Sequence, residues 1–219
     1  MDQMNLHIER IISAMFDQNA YLVWADGSNE AIVFDPGFEV DALLNKIRDQ
    51  NLSVKAICLT HGHADHIAGV AKMKKEFPDA PIVIGENEKK LLVDADLNLS
   101  RPMGFPIVAP PADQTLADNE IYEVAGLKFL IREIPGHSPG SIVFITQGFE
   151  PEQVFVGDVV FQGSVGRADF PGGSMRKLIS GIHEKLLVLD PETILHPGHG
   201  NKTTVGEEKL TNPYLGIDR

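Results

Sequence analysis

Thr60-His61-Gly62-His63-Ala64-Asp65-His66 sets four potential metal ligands within six residues. The apolar run before it reads as a buried strand over 54–60, and a helical pattern follows over 66–77, ending before Pro78. The motif therefore lies where a strand turns into a helix. His61 and His63, one residue apart, can face a shared ion if the backbone is extended. Asp65 and His66 begin the next turn and can face a neighbouring ion, with Asp65 at the N-cap position. Neutral imidazole and carboxylate suit zinc and its divalent first-row neighbours. A solvated loop has no need of such a density of ligands.

Two later stretches share this style. Pro135-Gly136-His137-Ser138-Pro139-Gly140 and Pro197-Gly198-His199-Gly200 each follow a strand-like run, and their prolines and glycines present one histidine on a tight turn. Either alone would be weak; with the first motif they place five of the eight histidines in three short segments. Asp158 follows the apolar run 154–156, and a carboxylate at the end of a buried strand needs a positive partner, a metal ion being one, unless it caps the following segment instead. His7, His183 and His196 have no motif around them and read as ordinary surface or core residues.

Around these motifs, strands are expected over 6–12, 21–24, 31–34, 81–85, 121–124, 127–134, 141–146, 153–156 and 193–195. Helices are expected over 40–51, 86–93 and 175–189. The proline-rich segment 94–118 has no clear period and reads as a cover over a site or a wandering surface loop. Strand-rich segments alternating with a few amphipathic helices give an α/β fold of packed sheets with helices outside. No repeat or linker-like composition divides the chain, so 1–219 is expected to form one domain.

The chain has 219 residues, 43% hydrophobic and 23% charged, with a formal net charge of -12. That field repels phosphate backbones and anionic lipid, which argues against nucleic-acid and membrane partners. It leaves an anionic small molecule open, because metal ions are strong local sources of positive charge. The single cysteine, Cys58, sits in the apolar run and reads as a small buried hydrophobe. Met1-Asp2-Gln3-Met4-Asn5 lacks a signal-peptide pattern and no apolar run is long enough to span a bilayer, so a cytoplasmic protein is expected.

The ordered set His61, His63, Asp65, His66, His137, Asp158 and His199 resembles the signature of the metallo-β-lactamase superfamily. The resemblance implies a four-layer αβ/βα sandwich with metals along one edge of two sheets. It implies one divalent ion on His61, His63 and His137, a second on Asp65, His66 and His199, and Asp158 bridging both. Zinc is the default, with iron and manganese compatible. Asp35, in Phe34-Asp35-Pro36-Gly37, matches the family's first motif, a residue that orients the metal-holding loop; a plain turn carboxylate is the alternative.

Within the superfamily the chain is most similar to short glyoxalase II-like bacterial hydrolases, through Pro197-Gly198-His199-Gly200, the loop Gly166-Arg167-Ala168-Asp169-Phe170-Pro171 and Asn212-Pro213-Tyr214. That likeness implies a hydrolase whose bridging hydroxide cleaves a thioester such as S-lactoylglutathione or a related acyl-thiol. Asp65 would orient the hydroxide, and Arg167 would bind a substrate carboxylate unless it pairs with Asp169 instead. Full-length glyoxalase II carries a C-terminal helical extension that helps hold glutathione, whereas 20 residues follow His199 here. The rivals are a mono-iron persulfide dioxygenase, against which the complete second ligand set argues, and a metal-stabilised binding domain without catalysis. A secreted β-lactamase would carry an export signal and generally lacks the bridging aspartate.

Overall fold

Strands β2 (Gln18–Ala25) and β3 (Glu30–Phe34) are buried along nearly their whole length, not on alternate residues. Side chains of a strand point alternately to its two faces, so both faces of this sheet must be covered. Leu22 and Val33 face one core, shared with helices α1 (Val40–Asp49) and α3 (Val70–Glu76). Val23, Ile32 and Phe34 face another, shared with a second sheet. There Phe34 stacks on Phe155 at 4.2 Å between ring centroids and meets Phe129 and Phe144 edge-on. The structure, a computed structural model, describes residues 5–216; the first four residues, which carry most of the leader reading, lie outside the described residues.

The first sheet runs in chain order through β1 (Leu6–Ser13), β2, β3, β4 (Ser53–Cys58), β5 (Ile82–Gly85) and β6 (Gln114–Leu116). Its first three strands are antiparallel, and β3 to β6 are parallel. The second sheet has β7 (Ile121–Val124), β8 (Leu127–Glu133), β9 (Ile142–Thr146), β10 (Gln153–Gly157), β13 (Ile194–Pro197) and β14 (Thr203–Thr204) side by side. A separate hairpin, β11 (Val160–Phe161) with β12 (Ser164–Val165), follows β10. Behind the second sheet, Val143, Ile145, Val154 and Val156 pack on Leu178 and Ile182 of α4 (Met175–Lys185) and on Val205 of α5 (Val205–Thr211). Helix, sheet, sheet and helix make the four-layer αβ/βα sandwich. Among the described residues no helix is long and apolar enough to cross a membrane.

Several expected elements differ. The helix expected over 66–77 is two pieces, α2 (Ala64–Ile67) and α3, because the Gly69 amide donates to Pro36 O at 2.7 Å instead of continuing the helical ladder. A side chain there would also meet Gly37 O at 2.6 Å. The N-cap of α2 is His63, not Asp65, which sits inside the first turn. The helix expected over 86–93 shrinks to a 3-10 turn, Leu91–Val93, and α4 stops four residues short of its expected end. The 94–118 segment is irregular except for β6.

Candidate metal centre

Every sequence motif follows the C-terminal end of a strand. Asp35 follows β3, the His61–His66 loop follows β4, and His137, Asp158 and His199 follow β8, β10 and β13. β3 and β4 are parallel, as are β10 and β13, while β8 runs with β10 because both oppose β9. The strand ends therefore deliver all these side chains to one edge of the sandwich.

The seven candidate ligands converge there. His61, His63 and His137 offer nitrogens within 4.8 Å of one another, as do the donor atoms of Asp65, His66 and His199. His61, His66 and Asp158 form a third such group, so the two sets adjoin. Asp158 lies between them: Oδ2 is 3.5 Å from both His137 Nε2 and His199 Nε2, and Oδ1 is 3.3 Å from His66 Nε2. His63 Nδ1 and His137 Nε2 stand 2.9 Å apart. That is a hydrogen-bond spacing; two nitrogens bound at about 2.0–2.1 Å to one tetrahedral ion lie roughly 3.3 Å apart, so a shared cation would replace the proton between them and part the rings slightly.

Hydrogen bonds behind the cluster decide which nitrogen each histidine presents. His66 Nδ1 donates to Asp35 Oδ2 at 3.1 Å, His137 Nδ1 to Arg167 O at 2.8 Å and His199 Nδ1 to Phe16 O at 3.0 Å. The Thr60 hydroxyl spends its proton on Asp35 Oδ2 at 2.7 Å, so His61 Nδ1, at 3.1 Å, donates to Thr60 Oγ1. All four rings are thereby held with Nε2 toward the cluster, the arrangement that fixes tautomer and orientation in metal sites. Asp35, buried with a left-handed φ of 46°, also accepts from the Thr60 amide at 2.8 Å. It thus accepts three hydrogen bonds from the loop that carries His61 to His66.

Of five buried side-chain atoms without a hydrogen-bond partner among the described residues, three are His61 Nε2, His66 Nε2 and Asp158 Oδ1. Buried polar atoms are seldom left so, and all three point into the cluster. The backbone leaves no slack around it either. A Cβ on Gly198 would stand 2.2 Å from Asp158 Oδ1, and one on Gly166 would stand 1.9 Å from Asp158 O. The residues present fit a pair of cations.

The two ligand sets differ electrostatically. Burial and the neighbouring His137 push His63 down to about 3, and burial foremost also lowers His61 and His137. Burial acts the same way on His66 and His199, but the carboxylates of Asp158 and Asp65 outweigh it, raising His66 well above its ordinary value and His199 to about 10. Asp158 is held well below the ordinary carboxylate range: burial opposes its charge, but His66 and His199 overcome that.

Beside the cluster lies a cleft of ≈ 250 Å³ whose wall includes Phe16, Leu99, Met103, Phe161, Phe170 and Arg167. The Arg167 side chain is exposed, pairs with both oxygens of Asp169 at 2.9 and 2.8 Å, and lies 4.5 Å over the Phe170 ring. The ion pair with Asp169 thus exists, while Arg167 also borders the cleft. His196 is buried and bonded to Gln153, and His7 stacks on Trp24.

Sequence reading missed the residues that hold the loops. Asn19 Nδ2 donates to Pro197 O and Gly200 O on either side of His199, each at 2.9 Å. Glu88, in the turn after β5, bonds to both the first and the second motif loops. Nothing in the charged run Glu86-Asn87-Glu88-Lys89-Lys90 distinguishes a buried carboxylate from its exposed neighbours.

Fold and centre together define a metallo-hydrolase. The chain belongs to the metallo-β-lactamase superfamily, whose family model matches residues 15–199. Among curated proteins it is 40% identical over 213 residues to hydroxyacylglutathione hydrolase GloC of Haemophilus influenzae, covering 96% of this chain and 98% of that one. Among solved structures it is similar to BLEG-1, a B3 metallo-β-lactamase, with a TM-score of 0.90 and 37% identity over 95% of this chain and 99% of that one. It is also similar to TTHA1623, solved in a di-iron-bound form, with a TM-score of 0.82 and 38% identity over 94% of this chain and 100% of that one.

Proposed function

We propose that this protein hydrolyses a thioester, S-lactoylglutathione or a related acyl-thiol, at a pair of divalent cations. The observation that carries the reading is the convergence of two ligand sets on Asp158 beside a cleft. His61, His63 and His137 would hold one cation, Asp65, His66 and His199 the other, and Asp158 both. Zinc suits this donor set, and iron or manganese also suits it; the di-iron form of TTHA1623 supports the iron option. When bound, such cations supply ionised water at neutral pH and a Lewis acid for the carbonyl oxygen.

The chain's own groups do the rest. Asp65, its carboxylate 19% exposed, is open enough to the cleft to accept a hydrogen bond from the attacking water and orient it. The aromatic and aliphatic wall suits an uncharged acyl group. Outside the cluster, Arg167 is the sole titratable group of that lining, and a guanidinium keeps its proton. A leaving group that departs without a proton therefore fits best, and a thiol with a pKa of about 8.5 meets that condition. The likeness to GloC supports the same substrate class.

A second reading, opening of a β-lactam amide, draws support from the likeness to BLEG-1. Its amine leaving group needs a proton at nitrogen, which Asp65 would have to relay from the attacking water, a step that a thiolate does not require. Turnover of S-lactoylglutathione by protein of measured metal content, beside a β-lactam panel and an oxygen-uptake assay with glutathione persulfide, separates the readings. Metal-loaded protein inert to every thioester would overturn the proposal and favour a binding domain, unless one of the other assays responds.

Two further outcomes are expected. Arg167→Ala should raise KM for anionic thioesters more than for neutral ones, by about two- to fivefold, the effect of one screened charge contact; an equal effect on both would remove Arg167 from substrate binding. Cation loading should also split with pH. His199 holds its proton up to about pH 10 in the cation-free cluster, and that proton must leave before Nε2 can bind a cation. Affinity for the cation on Asp65, His66 and His199 should thus rise with pH, because the protons held on His66 and His199 must be displaced. His63, pushed down to about 3, carries no proton to displace. Titrations at pH 6 and 8 should show one cation weakening at the lower pH while the other holds; parallel weakening would contradict the assignment.

A further inference from the structure

Glu88 is wholly buried, and among the described residues no cation pairs with it. A carboxylate removed from water is tolerated only where donors surround it, and here the donors come from two metal-site loops. Glu88 Oε2 accepts from the Gly62 amide at 2.9 Å, and Gly62 lies between His61 and His63. Glu88 Oε1 accepts from Ser138 Oγ at 2.7 Å and from the Gly140 amide at 2.6 Å, and Ser138 is next to His137. The first loop leaves β4 in one sheet and the second leaves β8 in the other, so one side chain spans the gap between the sheets.

The turn that carries Glu88 fits closely against both loops. A Cβ on Gly62 would stand 2.4 Å from Leu91 Cβ, and one on Gly140 would stand 2.4 Å from Asn87 Cβ. Asn87 Nδ2 also donates to Glu133 Oε1 at 2.9 Å, tying the turn to the last residue of β8. Neither loop can shift without breaking a charge-assisted bond, and those are about twice as strong as neutral ones.

We infer that Glu88 is a positioning residue that locks the His61–His63 loop to the His137 loop and so fixes the spacing of the first cation's three ligands. The inference rests on the two-cation reading above. Glutamine has nearly the same shape but turns one acceptor into a donor. In either orientation its amide nitrogen would face a backbone donor, Gly62 N on one side or Gly140 N on the other, while the Ser138 hydroxyl can turn to accept, so one loop would lose its backbone hydrogen bond to residue 88.

The test is a competition titration of zinc against a chromophoric chelator for the full chain and its variants, with zinc-edge anomalous density to locate the weakened position. The unsubstituted protein should take up two zinc ions. In Glu88→Gln the ion at His61, His63 and His137 should bind about 10- to 100-fold more weakly, the usual effect of losing a partner behind the ligands. The other ion should weaken less, since His66 and His199 keep the acceptors at their Nδ1 atoms. Excess zinc should restore turnover. Ser138→Ala, which removes one donor and keeps the carboxylate and both amides, should weaken the same ion by about three- to tenfold. Unchanged zinc affinities in folded Glu88→Gln, or equal loss of both ions, would overturn the inference. Should Glu88→Gln not fold, Ser138→Ala decides: no selective weakening in that variant refutes the brace. Failure of the unsubstituted protein to bind two ions would overturn the two-cation reading itself, before any variant is compared.

Discussion

Asp158→Ala should abolish the cation pair and lower turnover by on the order of 10³-fold, as expected when several kcal/mol of cation-derived transition-state stabilisation are lost. Asp158 lies within 3.5 Å of His66, His137 and His199. Without its charge, the cluster keeps Asp65 as its sole carboxylate against two divalent ions. Metal analysis should show fewer than two ions per chain, and no excess of zinc should restore the rate. Two bound ions with full activity would remove Asp158 from the bridge.

Asp35→Asn carries the second largest expected effect, although Asp35 touches no cation in this account. Its oxygens accept from the Thr60 amide, the Thr60 hydroxyl and His66 Nδ1. An asparagine amide must turn its NH2 toward at least one of those donors. If it faces His66, the ring loses the acceptor that holds Nε2 toward the cluster. If it faces the Thr60 amide, the loop start is released. The expected result is a 10- to 100-fold loss of affinity, greatest for the cation on Asp65, His66 and His199. A buried donor left without a partner costs about 1–3 kcal/mol, so the variant should also melt earlier. Wild-type metal affinity in a folded variant would show that Asp35 supports the turn and nothing more.

What the chain disclosed in advance was the part governed by local chemistry. Four ligand-type residues at 61–66 and single histidines on Pro-Gly turns at 137 and 199 are dense polar signals at strand ends, and the structure brings them together. Strand positions were legible because apolar runs are long and turn residues bound them. The small pieces were not: β11, β12 and β14 have two residues each, too few for any period. The break between α2 and α3 depends on Pro36, more than 30 residues away, capturing the Gly69 amide, and no local pattern encodes it. Glu88 and Asn19 were hidden for the same reason, since their roles arise from burial against distant loops. Arg167 was legible as a choice between two partners, and the Asp169 pair is present.

The central claim is that the two ligand sets each hold a divalent cation with Asp158 between them. Anomalous diffraction at the absorption edge of the metal in purified, metal-loaded crystals measures this directly. Two peaks about 3.5–4 Å apart are predicted, one against His61, His63 and His137, the other against Asp65, His66 and His199, both touching Asp158. A single peak, no peak, or density bound by other side chains would contradict it.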